Sequence, residues 1–335
     1  MTTTAPDVST SAGLLRLGNA FCDAKALLTA VDLDLFTHLQ DGFATQEEIR
    51  QRLQLHGRGL SDFLHLLTAL GVLVKDGDRF ANAPGAERYL VRGKPSYIGG
   101  FMHRSNRNLY PAWGRLDEAL RTGQSQSGGR FEDVLARPEV LRQFIGMMDA
   151  LTQQLAPQLV DAYDWGQHAT LLDLGGCRGN LASHLVKAFP ELEGHVFDMP
   201  AIEPFFDELM ASLDLTSRVT FHGGSFFTDP LPTADVVVLG HVLHDWDEQQ
   251  RAGLVRKAYD AVRPGGALVV YDRMLDDDPR HVENLVISLD MLLVTDGGSE
   301  YPVSELRAHA ESAGFSSVTV QPLGDYDTFV VCRKD

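Results

Sequence analysis

Three clusters in this 335-residue chain have residue types and spacing that could do chemistry. The first is Gly240-His241-Val242-Leu243-His244-Asp245-Trp246-Asp247, which follows directly on the apolar run Val236-Val237-Val238-Leu239. A histidine just past the carboxyl end of a buried strand faces the crevice where ligands of open α/β sheets lie. With an unperturbed pKa of about 6.5, such a histidine is a workable general base near neutral pH. Asp245 and Asp247 also suit the first turn of a following helix, where carboxylates are favoured. The second cluster is Leu171-Leu172-Asp173-Leu174-Gly175-Gly176-Cys177-Arg178-Gly179, with Asp198 at the end of the next apolar run. Its glycines allow a sharp turn and a close backbone approach to a ligand, and an acid about 20 residues on is placed to bond a ribose. The spacing departs from G-x-G-x-x-G, so the pattern points to a nucleoside-containing ligand without fixing which one. The third cluster, Gly224-Ser225-Phe226-Phe227, offers a ring that can cover an adenine and a hydroxyl that can bond its exocyclic nitrogen.

These clusters need a scaffold, and the periodicity supplies one. Strand-like runs at Thr170–Leu174, His195–Phe197, Val219–His222, Val236–Leu239 and Leu268–Tyr271 are mostly separated by helical patterns, the signature of a parallel sheet with crossover helices. Val318–Gln321 and Thr328–Cys332 flank a short loop at Gly324-Asp325, so the closing strand is expected to run antiparallel. Residues 98 to 160 read as mostly helical, interrupted by a loop at Gly123–Gly129. Upstream, apolar residues recur at helical spacing from Leu14 to Leu39, Thr45 and Glu48 are spaced as a capping box, and a helix runs from Gly59 to Leu70. Val72-Leu73-Val74, a turn at Asp76-Gly77-Asp78 and Arg79-Phe80-Ala81 then make a hairpin, which completes a winged-helix pattern.

Composition narrows the function. A formal net charge of −17 argues against a surface built to hold phosphate backbones. Cys22, Cys177 and Cys332 are widely spaced and form no C-x-x-C pair, so no disulfide framework and no metal site is expected. Residues 1 to 13 read as a polar tail rather than a signal peptide, and no apolar run approaches a membrane span. A soluble, cytoplasmic protein is expected. A winged-helix module can read DNA, but Arg58 is the only basic residue at the edge of the Gly59–Leu70 helix, so protein contact is the favoured use.

Taken together, Asp173-Leu174-Gly175-Gly176, Val196-Phe197-Asp198-Met199-Pro200, Gly224-Ser225-Phe226-Phe227, Leu243-His244-Asp245-Trp246, Arg263-Pro264-Gly265-Gly266 and Gly297-Gly298-Ser299-Glu300 carry a resemblance covering nearly the whole chain. It resembles the class I S-adenosylmethionine-dependent O-methyltransferases of the caffeic-acid and hydroxyindole type, in particular their bacterial natural-product branch. The resemblance implies an α/β fold: a Rossmann-like class I methyltransferase domain with a mostly parallel seven-stranded sheet and one antiparallel strand. An α-helical winged-helix dimerisation domain would precede it. The expected division is residues 1–97 for dimerisation, 98–165 as a helical linker contributing to the acceptor pocket, and 166–335 for catalysis.

By the same resemblance, His244 is the general base toward a phenolic hydroxyl, and Asp272 and Glu300 orient its imidazole. Asp173, Gly175, Gly176, Asp198 and Met199 fall at S-adenosylmethionine, with Asp198 on the ribose. Gly224, Ser225 and Phe226 fall at its adenine end, and His241, next to Gly240, is a further candidate contact to the cofactor. The acceptor side is implied for Phe144, Met147, Met148, Asp245, Met291 and Leu292, with His103 and Trp113 as further candidates. The products would be a methylated aromatic secondary metabolite and S-adenosylhomocysteine, formed by a homodimer without metal, nucleic acid or membrane. Two departures stand out. Ser225 replaces the aspartate many relatives carry at the adenine position. Gly240 stands where plant members place a lysine against the cofactor's carboxylate, which leaves the holder of that group open. Hydroxylation or decarboxylation on the same cofactor is disfavoured by the His244 base, while N- or C-methylation remains compatible with the scaffold.

Overall fold

A computed structural model of the chain describes residues 7–94, 96–127 and 134–335; part of the expected polar tail and the end of the 123–129 loop lie outside them. The chain divides into two compact units, one up to Tyr110 and one from Pro111 onward.

The first unit is helical with a small antiparallel sheet of strands β1 (Ala44–Thr45), β2 (Leu73–Asp76) and β3 (Arg79–Asn82), ordered β1-β3-β2. The hairpin and the capping box are as the sequence predicts: Thr45 Oγ1 accepts from the Glu48 amide, and the Thr45 amide donates to Glu48. The continuous helical periodicity from Leu14 to Leu39 is broken into Ser11–Gly18, Ala20–Asp32 and Leu35–His38. One break falls at Asn19 and another at Asp34, whose φ of 57° no helix accommodates. Leu35, Phe36, Leu64, Leu67 and Phe80 centre the core of this unit. The first helix buries only Gly13; Leu14, Leu15, Leu17 and, just beyond it, Phe21 are exposed.

The second unit is built on a seven-stranded sheet. Its strands are β4 (Thr170–Leu174), β5 (Glu193–Asp198), β6 (Val219–Gly223), β7 (Ala234–Gly240), β8 (Val262–Asp272), β9 (Ser317–Leu323) and β10 (Asp327–Arg333). The order is β6-β5-β4-β7-β8-β10-β9, with β10 antiparallel to both neighbours and the pairings from β6 through β8 parallel. Alternate residues point to opposite faces, and both faces are covered. Leu172, Leu174, Val237, Leu239, Leu268 and Val270 join one apolar cluster, while Leu171, Val236, Val238, Ala267 and Val269 join the other. That two-sided burial explains why these strands read as uninterrupted apolar runs. Each fully buried Val or Leu stabilises the fold by about 1.5–3 kcal/mol relative to exposure. β8 begins earlier than the sequence suggests, because Val262 already pairs with Ala234 before Arg263-Pro264-Gly265-Gly266 bulges out and Ala267 resumes the register opposite Val236.

Because the chain winds outward from β4 toward β5 in one direction and toward β7 in the other, the carboxyl ends of β4 and β7 form the switch point of the sheet. The glycine turn, Asp198, Gly224, His244 and Asp272 all follow or end strands at that edge.

Candidate active site

His244 sits in a single helical turn, Leu243–Asp245, directly after β7, and is buried. The turn is locked from below: Leu243 is fully buried, and Asp247 caps the next helix through a reciprocal bond with Gln250. From the other side Glu300 Oε1 lies 2.7 Å from His244 Nδ1, while its Oε2 accepts from the Met274 amide at 3.2 Å. The Glu300 amide in turn donates to Ser288 Oγ at 3.2 Å. Asp272, with no exposed surface at the end of β8, places Oδ1 3.6 Å from the same imidazole nitrogen. Its other oxygen accepts from the Tyr301 hydroxyl at 2.6 Å. In the neutral imidazole, a carboxylate at Nδ1 keeps the proton there and leaves the Nε2 lone pair for an incoming proton. Nε2 is 3.8 Å from Asp245 Oδ1, beyond hydrogen-bond range.

Electrostatics follow from this packing. Burial by itself would depress the His244 imidazole, but Asp272 and Glu300 outweigh it and raise its pKa to about 10. Burial lifts the Asp272 carboxyl to about 8, although the His244 charge opposes the rise. The imidazolium is therefore the favoured form of His244, a strong base once its proton is gone.

A neighbouring residue accounts for the departure at Gly240. A Cβ at Gly240 would stand 2.0 Å from Tyr271 Cζ, so the Tyr271 ring fills the space any side chain there would need. His241, at φ 52°, lies half-buried against that ring; its Nε2 is 3.2 Å from Asp327 Oδ1 and its Nδ1 3.8 Å from Asp272 Oδ1. Burial, and then the nearby His244, push it down to about 3, so it is neutral.

On the other side of the switch point, Asp198 Oδ2 accepts from the Cys177 amide at 2.8 Å and Oδ1 from the Met199 amide at 2.6 Å, which ties the end of β5 to the glycine turn. Burial raises this carboxyl to about 6, against those two amide bonds. Asp173 lies under the turn, where a Cβ at Gly176 would come within 2.5 Å of its Oδ2. That oxygen is buried without a hydrogen-bond partner, and burial, followed by the Asp198 charge, raises the carboxyl to about 7. An unsatisfied buried acceptor beside a glycine-lined turn fits a polar ligand that supplies the missing donor. Ser225 donates its amide to Asp229 at 2.9 Å, and Phe226 meets Trp246 edge-to-face at 5.8 Å.

Among the expected acceptor residues, Met147 and Met291 are buried and Phe144 packs with Leu141, Ile145 and Met199. Trp113 and Leu292 share a cluster with Leu293, and the Trp113 indole donates to Asp290 at 2.6 Å. Met148 lies on the same helix, Pro138–Ala162. His103 belongs to the first unit, where its Nδ1 is 2.5 Å from Asp32 Oδ1. Sequence reasoning missed Tyr301, Ser288 and Asp327. Tyr301 directly follows Glu300 and could have been noticed for that; the other two carry no local signal.

A seven-stranded sheet of this order, with a glycine turn after β4 and an acid at the end of β5, defines a class I methyltransferase. The chain belongs to the O-methyltransferase family: residues 113–316 match the O-methyltransferase domain, and residues 15–92 match the O-methyltransferase dimerisation domain. It is 46% identical to the tetracenomycin polyketide synthesis 8-O-methyl transferase of Streptomyces glaucescens, over 96% of each chain. An N,N-dimethyltransferase of Streptomyces rimosus is 42% identical over 94% of each chain. Among solved structures, the methyltransferase PigF with S-adenosylhomocysteine superposes with a TM-score of 0.90 at 25% identity, covering 97% of this chain and all of that one. No helix among the described residues is long and apolar enough to cross a membrane.

Proposed function

We propose that the chain is an S-adenosylmethionine-dependent O-methyltransferase acting on a phenolic hydroxyl of an aromatic natural product, with His244 as general base. The observation that carries this reading is the 2.7 Å contact between Glu300 and His244 Nδ1 at the carboxyl edge of the sheet. When bound, S-adenosylmethionine supplies an electrophilic methyl group on a sulfonium. Asp198 receives the ribose hydroxyls, and the turn at Gly175-Gly176, over Asp173, receives the body of the cofactor beside it. Gly224, Ser225 and Phe226 lie at the adenine, with Met199 flanking the ribose. His244 Nε2 takes the phenolic proton, Glu300 holds Nδ1, and Asp272 stabilises the imidazolium that results. Holding the two reactants in line in a water-poor pocket supplies the rest of the rate. Phe144, Met147, Met148 and Met291 form the adaptable apolar side of the acceptor pocket.

The dimerisation-domain match supports a homodimer, and the exposed Leu14, Leu15, Leu17 and Phe21 give it an apolar contact face. Three unpaired cysteines suit a reducing compartment, so the enzyme is assigned to the cytoplasm. The test is incubation with methyl-labelled S-adenosylmethionine and a panel of polycyclic phenols and arylamines, with the product site read by mass spectrometry and NMR. Label on a phenolic oxygen supports the reading. Label only on nitrogen or carbon would transfer the enzyme to the chemistry named for the Streptomyces rimosus relative or to C-methylation.

A further inference from the structure

The helix Glu248–Ala261, which follows the His244 turn, carries a buried arginine close to its start, Arg251. A cation at that end works against the helix dipole, and a buried guanidinium needs several partners to offset its lost hydration. Arg251 has three. Its Nε donates to Glu305 Oε1 at 2.7 Å, and its Nη1 donates to the Trp246 carbonyl at 2.5 Å. The guanidinium also lies 4.9 Å from the centre of the Tyr301 ring. Trp246 caps the single turn that holds His244. Tyr301 directly follows Glu300 and donates its hydroxyl to Asp272. The two segments also meet directly: a Cβ at Gly298 would stand 2.5 Å from the His244 carbonyl oxygen, and one at Gly297 3.2 Å from Asp247 Cβ.

Stability alone does not call for such an arrangement, since apolar side chains of similar size replace a buried ion pair with little loss. What distinguishes arginine is a rigid, planar set of donors that can hold a carboxylate, a carbonyl and a ring face at once. Here those three partners belong to the stretch that carries the base and to the stretch that carries its carboxylate. We propose that Arg251 is a positioning residue for methyl transfer: it fixes the turn bearing His244 against the segment bearing Glu300 and Tyr301, and so keeps the imidazole in register with Glu300 and Asp272. This rests on the reading of His244 as general base. Glu305, on the helix Val303–Ala313, holds Arg251 in its turn. Burial, and then the Asp272 charge, keep the Tyr301 hydroxyl well above its ordinary range against the opposing charge of Arg251, so it remains the donor to Asp272.

The test compares the wild type with two variants. Arg251→Met combined with Glu305→Gln removes the guanidinium without leaving an unpaired carboxylate, and Arg251→Lys keeps the charge but not the fork. Three quantities are read on the full-length protein: single-turnover label transfer to a phenol, S-adenosylhomocysteine affinity by calorimetry, and the downfield proton resonance of the imidazole Nδ1–H held by Glu300, assigned by its loss in His244→Ala. The double variant should transfer methyl about tenfold or more slowly, because small misplacements of a reacting group are costly. It should bind S-adenosylhomocysteine within about twofold of wild type and shift or lose the downfield resonance. Arg251→Lys should lie between the two in rate and in resonance. A double variant with wild-type rate and resonance overturns the inference, as does one whose cofactor affinity falls in step with its rate, which reports a general distortion. If the double variant does not fold, Arg251→Lys carries the same comparison, and a wild-type rate and resonance there overturn the inference. A wild-type rate in His244→Ala removes the base reading and the inference with it; a slow His244→Ala beside an unmoved resonance in the double variant removes the inference alone.

Discussion

Replacing Glu300 by glutamine should shift the pH dependence of catalysis toward acid and lower its plateau. The wild-type carboxylate lies 2.7 Å from His244 Nδ1 with no solvent between them, since both residues are buried. A hydrogen bond to a charged partner contributes about 1.5–3 kcal/mol. At about 1.36 kcal/mol per unit, losing the charge should lower the imidazole pKa by roughly one to two units. The sign follows from the role: only neutral imidazole accepts a proton, and the wild-type group is raised to about 10. In the wild type kcat/KM therefore climbs with pH from neutral into the alkaline range and falls away below. In Glu300→Gln the neutral form appears at lower pH, and the rising limb moves with it by roughly one to two units. Asp272, 3.6 Å away, still holds the imidazole above its ordinary value. The plateau drops because glutamate accepts from both His244 and the Met274 amide. Glutamine has one acceptor oxygen and must turn a donor toward one of them. A loss of about tenfold or more in kcat follows from the looser imidazole. Initial-rate profiles of label transfer from about pH 6 to about pH 10 measure both effects. A limb that stays put, or moves toward alkali, would refute the reasoning.

Other expectations concern the supports of the site and the assembly. Tyr301→Phe removes the 2.6 Å bond to Asp272 Oδ2 inside the core and should cost about 1–3 kcal/mol of stability, read as a lower denaturation midpoint; an unchanged midpoint would mean the bond contributes nothing net. Leu15→Glu combined with Phe21→Glu places charge on the exposed apolar face of the first unit and should convert a dimer into monomers by light scattering after gel filtration. A wild type that is monomeric, or a variant that stays dimeric, would remove that face from the interface.

The sheet was legible because of how it is buried. Val236–Leu239 and Leu268–Tyr271 are apolar at every position since both faces are packed, and the capping box at Thr45 and Glu48 is a purely local bond. Two residues of β1 were too few to give any period, and the breaks at Asn19 and Asp34 interrupt helices whose apolar spacing continues across them. The site was legible only in part for a related reason. His244 announces itself by its place after a buried strand. Its partners do not, because Asp272, Glu300 and Tyr301 arrive from β8 and from the segment after a later helix. Their association is a property of the tertiary fold, and the sequence reached two of them only through family likeness. The position of His241 between Asp272 and Asp327 is likewise set by packing and carries no local signal in the sequence.

In the proposed mechanism His244 removes the acceptor's proton while the fold around it holds the reactants. Single-turnover methyl transfer from bound S-adenosylmethionine to a phenol, wild type against His244→Ala, tests it most directly, with S-adenosylhomocysteine affinity measured on both proteins. Unchanged cofactor affinity is expected, with a transfer rate reduced by about 100-fold or more. Transfer at the wild-type rate by His244→Ala would contradict it.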